Sequence, residues 1–180
     1  YSELMPPPMV SFAIRRLKCD AGVMVTASHN PAKYNGYKAY GPDGTQLAPE
    51  AADYVLSIMQ SVDPFDEINT MNFEDALSLG KIEYISDDII NEYLDNVEAQ
   101  RVEKNIDLSG LKVIYTPLHG AGNKPVRAIL KRLGLENLTV VPEQELPDGN
   151  FPTAPYPNPE IRQAFECALK LAETVKPDIL

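Results

Sequence analysis

The sequence predicts an α/β fold in two partial domains, each a mixed or parallel sheet with flanking helices. Three observations point there. Residues 111–180 alternate strand, helix, strand, helix and the start of a strand, the order that builds a parallel sheet. Gly22–Thr26 is a short apolar run with β-branched residues, the mark of a buried strand. Asp87–Gln100 has Ile89, Ile90, Tyr93, Leu94 and Val97 on one helical face and acids in its first turn.

Along the chain, Met9–Leu17 reads as a helix entered through Pro6-Pro7-Pro8. The strand at Gly22–Thr26 leads into a loop over Ala27–Gly36, where Asn30-Pro31 and Asn35-Gly36 are turn signals. Tyr37–Tyr40 and Thr45–Leu47 read as short strands around the turn Gly41-Pro42-Asp43-Gly44. Pro49 opens a helix whose Ala52, Val55, Leu56 and Met59 keep helical spacing. Ser61–Leu79 is weakly patterned, and Lys81–Ile85 is a candidate strand. The charged stretch Arg101–Lys104 places the domain boundary near Asn105, giving domains 1–105 and 106–180.

In the second domain Leu111–Tyr115 is a strand and Thr116–Gly122 a loop. Asn123 is a candidate cap for a helix with Val126, Ile129, Leu130 and Leu133 on its buried stripe. Leu138–Val141 is a strand, and Pro142–Pro159 a proline-rich connection. Ile161–Val175 is a helix, and Asp178–Leu180 begins a third strand. The chain begins at Tyr1 rather than Met and stops in that strand, so the natural protein is expected to continue at both ends.

The composition is that of an ordinary globular chain, 44% hydrophobic and 23% charged. No apolar run reaches the roughly 18 residues a membrane span needs, and no signal peptide is visible. Cys19 and Cys167 form no metal or redox motif and are expected to be reduced thiols of a cytoplasmic protein. A net charge of −10 argues against nucleic acid as a partner. Between Ile14 and Lys38, however, Arg15, Arg16, Lys18, Lys33 and Lys38 face Asp20 alone. Such a cluster suits a small anion, and it equally suits a solvated face.

Thr26-Ala27-Ser28-His29-Asn30-Pro31 is the segment richest in chemistry. A serine leaves a strand at the head of a proline-held loop, among hydroxyl, imidazole and amide groups. By itself this is a presented hydroxyl or a plain turn. It is a poor hydrolase site, because adjacent side chains seldom converge and no Gly-x-Ser-x-Gly elbow is present.

The stretch Ala21–Pro31, followed by Tyr34-Asn35-Gly36-Tyr37-Lys38, resembles the active-serine segment of the α-D-phosphohexomutase family. Gly41–Leu47, Thr116–Gly122 and Glu145–Pro152 resemble its phosphoglucomutase/phosphopentomutase branch. The resemblance implies the later part of the family's first domain and the early part of its second. It implies an intramolecular phosphotransferase that interconverts sugar 1-phosphate and 6-phosphate through a phosphoserine and a bisphosphate. Alternatives are phosphomannomutase or phosphopentomutase activity, or a non-catalytic phosphosugar-binding module.

Residue by residue, Ser28 matches the phosphoserine and Lys38 a candidate general acid/base, with a plain phosphate-neutralising or solvated lysine as the other reading. His29 either helps hold the phosphoryl group or passes a proton, or it is a loop histidine bonded to backbone. Asn30 orders the loop or contacts phosphate. The family also implies Mg2+, with a phosphoryl oxygen on Ser28 as one ligand, and glucose 1,6-bisphosphate as activator. The family's other metal ligands lie in an Asp-x-Asp-x-Asp-Arg loop that these 180 residues lack, so the chain alone is expected to be inactive. The expected partner is a sugar phosphate. His119 with Gly120-Ala121-Gly122 reads as a structural turn, and a zinc pair with His29 has no supporting spacing.

Overall fold

The computed structural model describes all 180 residues. Helix α1, Pro7–Leu17, has prolines in its first turn and Lys18 in the left-handed region at its end, where the Lys18 N–H returns to the helix carbonyls. Strand β1, Gly22–Val25, pairs antiparallel with β2, Tyr37–Tyr40, in the register Gly22–Tyr40 and Met24–Lys38. Alternation along β1 therefore puts Gly22 and Met24 on one face, together with Lys38 and the buried Tyr40. That face receives α1: a Cβ on Gly22 would lie 2.2 Å from Ile14 Cδ1.

The opposite face carries Tyr37 and Ala39. Helix α2, Pro49–Ser61, lies over it with Ala52, Val55, Leu56 and Met59 directed at that face. None of the α2 residues is buried, and the space beneath the helix is an open apolar groove. The first unit is thus a two-stranded sheet with α1 packed on one face and α2 standing off the other. Strand β1 is not the buried strand its composition predicts: Val23 and Val25 are 51% and 74% exposed. Only β2 flanks it, so an apolar run that would fill a central strand lies at an edge.

The turn after β2 is tight. Tyr40 bridges Gln46, Gly44 has φ +75°, and the Asp43 carboxylate accepts the Thr45 N–H at 2.9 Å. The second predicted strand of this hairpin is reduced to that single bridge. Within the weakly patterned region a short helix forms, α3, Phe73–Ser78, capped by Asn72 Oδ1 on the Glu74 and Asp75 N–H groups. The candidate strand Lys81–Ile85 does not form. The N–H groups of Lys81 and Ile82 are both drawn to the Ala76 carbonyl, closing α3.

Helix α4, Asp87–Ala99, buries Ile89 and Leu94 and lies between the two halves. On one side Tyr93 meets Phe12 of α1 edge-to-face at 5.5 Å, and Glu92 pairs with Arg16. On the other, Asn91 and Asp95 receive Arg132 of α5, Asn123–Arg132.

Strands β3, Lys112–Tyr115, and β4, Asn137–Val140, pair in parallel, and Val113 bridges Ile179 in parallel on the other edge of β3. The expected third strand therefore begins beside β3. Helix α6, Glu166–Val175, is preceded by a 3-10 turn at Arg162–Phe165 and packs Ala168 on Ile114 and Val141. Asn123 is the first residue of α5 and caps nothing; Gly122 holds the cap position. Gln144 is fully buried and joins three elements. It accepts the Thr116 hydroxyl at 2.6 Å, donates to the Ala164 carbonyl at 3.2 Å, and its own carbonyl takes the His119 N–H.

Candidate functional site

Chain direction and a few short hydrogen bonds build the loop after β1. The Thr26 N–H donates to the Gly36 carbonyl at 2.9 Å, extending the ladder one pair beyond the strands. A Cβ on Gly36 would lie 2.1 Å from the Thr26 carbonyl oxygen, so the two backbones meet where only glycine fits. Thr26 Oγ1 accepts the Ser28 N–H at 3.0 Å. Ser28 has φ +59°, a left-handed conformation that costs a non-glycine residue roughly 1–2 kcal/mol. Asn30 offsets that strain from the far side. Its Nδ2 and its backbone N–H both donate to the Ala27 carbonyl, at 2.8 and 3.1 Å.

The outcome is an exposed Ser28 hydroxyl with His29 Nδ1 3.3 Å from its oxygen. Lys38 pairs with Met24 and is half-buried. It shares a face with Thr26 as a diagonal neighbour across the sheet, on the scale of 7–8 Å between positions. The fold thus gathers Ser28, His29, Asn30 and Lys38 around one end of β1 and β2.

The three cations of α1 and its end do not join them. Arg15, Arg16 and Lys18 lie toward the end of α1, next to the start of β1, as the Ile14–Gly22 contact requires. Arg16 is paired with Glu92, and Arg15 turns back to the Ser11 carbonyl. Lys33 lies over the Tyr34 ring at 5.2 Å. Sequence proximity overstated this cluster because an antiparallel helix–strand unit sends its two ends apart.

Two residues essential to the loop were not singled out from sequence. Thr26 holds the serine backbone, and Gly36 admits the close approach. The signals were a hydroxyl two residues before the serine and the Asn35-Gly36 pair.

The loop after β3 repeats this construction with different chemistry. Thr116 Oγ1 accepts the Leu118 N–H at 3.0 Å, and Leu118 and His119 have φ +50° and +59°. Here leucine replaces the serine, and His119 is 6% exposed. Its Nδ1 lies 3.1 Å from the Leu146 carbonyl and its Nε2 2.9 Å from Thr153 Oγ1. Both bonds are met when Nδ1 carries the proton and Nε2 accepts the Thr153 hydroxyl. His119 is a structural histidine that ties the connection after β4 to the end of β3.

No three His, Cys, Asp or Glu side chains gather as a metal site, and Cys19 and Cys167 are both free thiols. No helix is long and apolar enough to cross a membrane.

Comparison with known proteins places these features in a family. Residues 1–65 match the model for phosphoglucomutase/phosphomannomutase α/β/α domain I, and residues 91–180 match that for α/β/α domain II. The chain is 39% identical over 166 residues to a phosphoglucomutase of Staphylococcus saprophyticus, covering 92% of this chain and 30% of that protein. It is 36% identical to a phosphoribomutase of Saccharomyces cerevisiae, covering 99% of this chain and 30% of the relative. It is 34% identical to a phosphomannomutase of Mycoplasmoides pirum, covering 95% and 31%. A solved Thermus thermophilus structure assigned as a phosphomannomutase superposes with a TM-score of 0.70 at 26% identity, over 97% of this chain and 36% of that one. The chain therefore spans about 30% of the length of the curated relatives it matches.

Proposed function

Since the chain belongs to the phosphoglucomutase/phosphomannomutase family, we propose that it supplies the phosphoryl-carrying serine loop of a sugar-phosphate mutase, with Ser28 as the carrier. The proposed reaction interconverts sugar 1-phosphate and 6-phosphate through a bisphosphate. The proposed division is a first domain over 1–105 that bears the serine and a second over 106–180. The observation that carries the reading is the Ser28 hydroxyl, exposed at a strand end in a strained conformation that Thr26, Asn30 and Gly36 sustain.

In the first half-reaction a sugar hydroxyl oxygen bonds to the phosphorus of a phosphoryl group on Ser28 Oγ, and the P–Oγ bond breaks. One proton must pass from the sugar hydroxyl to Oγ. Lys38, as an ammonium, supplies a proton to Oγ and recovers one from the attacking hydroxyl. The second half-reaction reverses this at the other end of the bisphosphate. His29 Nδ1, 3.3 Å from Oγ, holds the phosphoryl group in line, and Asn30 keeps the loop closed.

Mg2+ and glucose 1,6-bisphosphate as activator go with this reading. The residues of this chain do not fit a magnesium site of their own, since hard cations take six or more oxygen ligands and only a phosphoryl oxygen on Ser28 is offered. A cytoplasmic location and a sugar phosphate as substrate, with neither nucleic acid nor membrane as partner, are part of the same proposal.

The test is intact mass and phosphopeptide mapping of the full-length protein after incubation with glucose 1,6-bisphosphate and magnesium, with Ser28→Ala as control. One phosphate on the Ser28 peptide, absent from the variant, is expected. An active protein that takes up no phosphate at Ser28 would overturn the mechanism.

A further inference from the structure

Two loops of this chain are built on one device. In each, the threonine that follows a strand accepts the amide of the residue two positions on. Thr26 Oγ1 takes the Ser28 N–H and Thr116 Oγ1 the Leu118 N–H, both at 3.0 Å. In each, the residue so held stands in the left-handed region, Ser28 at φ +59° and Leu118 at φ +50°. L residues avoid that region, and a threonine hydroxyl bonded to nearby backbone offers the chain an alternative to the ladder. The device needs the threonine and does not need the serine.

The two threonines differ in what else the hydroxyl serves. Thr116 also donates to Oε1 of the fully buried Gln144 at 2.6 Å, which ties it into the core of the second half. The Thr26 hydroxyl has one hydrogen-bond partner, the Ser28 N–H. Thr26 is itself fixed to the sheet, its N–H on the Gly36 carbonyl at 2.9 Å. Through that hydroxyl the position of the sheet is passed to Ser28. Asn30 acts one residue earlier, on the Ala27 carbonyl. With the Ser28 backbone held, rotation about Cα–Cβ is the freedom left to Oγ, and His29 Nδ1 stands 3.3 Å from that oxygen.

We propose that Thr26 is a positioning residue for phosphoryl transfer: its hydroxyl oxygen, by holding the Ser28 amide, aims Oγ at the incoming sugar hydroxyl. This rests on the reading of Ser28 as the phosphoryl carrier. In the transfer a sugar oxygen bonds to phosphorus as the P–Oγ bond breaks and the proton passes through Lys38; Thr26 gives up no atom. In-line attack is sensitive to aim, a displacement of about 1 Å costing on the order of 100-fold in rate.

The test is a single-turnover measurement on the full-length protein. Ser28 is loaded with phosphate from glucose 1,6-bisphosphate and magnesium, and the excess is removed. The loaded protein is mixed with whichever of glucose, mannose or ribose 1-phosphate the parent turns over fastest, and the decay of phosphoserine is followed. A first-order rate constant does not depend on the fraction of protein that is folded, so a merely structural role would not move it. Thr26→Val keeps the shape and drops the hydroxyl. It should slow the decay about 10- to 100-fold at saturating sugar phosphate, with KM within about twofold of the parent. Thr26→Ser restores the oxygen and should return the rate to within about threefold. Thermal melting follows the fold of each variant; where Thr26→Val does not fold, Thr26→Ala takes its place in the comparison. A loaded parent with a Thr26→Val rate constant within about threefold of its own, or a Thr26→Ser protein as slow as Thr26→Val, would overturn the role of Thr26 alone. A parent that takes up no phosphate at Ser28 would overturn the carrier reading and this proposal with it.

Discussion

Gly36 and Thr26 face each other so closely that a single added carbon on residue 36 would stand 2.1 Å from the Thr26 carbonyl oxygen. The obstacle is backbone, and backbone on a paired strand does not swing aside. Gly36→Ala should therefore cost about 1–3 kcal/mol in urea unfolding, the range for overpacking. It should also broaden or shift the Ser28 and Asn30 amide signals, because Thr26 carries the Ser28 N–H. A variant as stable as the parent, with an unchanged loop spectrum, would show that the approach is looser than it stands here.

The contact between α1 and β1 offers a cleaner case, because the neighbour is flexible. A Cβ on Gly22 would meet Ile14 Cδ1 at 2.2 Å. Gly22→Ala alone should cost about 1–3 kcal/mol. Ile14→Val removes that terminal carbon and should cost about 0.5–1.5 kcal/mol. The double variant should lose less than the sum of the two, measured as a coupling in a double-mutant cycle. Strict additivity would place the strain elsewhere.

Gln144 is a fully buried polar residue with each side-chain end engaged. Gln144→Ala strands the Thr116 hydroxyl and the Ala164 carbonyl. The loss should be about 1–3 kcal/mol for each group left unpaired, read from denaturant midpoints. Gln144→Glu should be milder at acid pH, where a protonated carboxyl can still donate to Ala164, and worse at neutral pH. An equal effect at both would argue that packing volume alone matters.

Asp43 and Tyr1 each contribute to the expected pH dependence. Accepting the Thr45 N–H holds the Asp43 carboxyl below its ordinary value of 3.8. A depressed folded value means the contribution is complete above the unfolded value and is lost as pH falls through the folded one. Asp43→Ala should thus flatten the acid limb of stability below about pH 4. Burial, then the nearby Tyr93, pushes the Tyr1 phenol up to about 12, and its hydroxyl donates to the Met9 carbonyl at 2.8 Å. A raised folded value means stability is lost as pH rises from the unfolded value, 10, through about 12. Spectrophotometric titration should show a late tyrosinate step that Tyr1→Phe removes.

Much of this molecule was legible because its signals are local. Prolines at the starts of α1 and α2, the apolar stripe of α4 and the Gly41–Gly44 turn each depend on neighbours within a few residues. Readings that depended on distant partners fared worse. Lys81–Ile85 has strand composition but no strand beside it, and the end of α3 claims its first N–H groups. Asn72 caps α3 inside a stretch with too few apolar positions to show a period. Asn123 has a capping side chain, but the chain enters α5 one residue earlier.

By itself the sequence determined the alternation of helix and strand, the turns, the family motifs and the position of the loop that carries Ser28, all written in short windows of residues. Only the tertiary structure decided which cations stand near Ser28, that β1 lies exposed beside a single partner, and that α4 is held from both sides by Arg16 and Arg132. It also decided that His119 is spent on Leu146 and Thr153. The physical reason is range. Backbone conformation is set by steric and hydrogen-bonding terms between near neighbours, whereas pairing, burial and charge proximity depend on residues brought together from up to 121 positions apart.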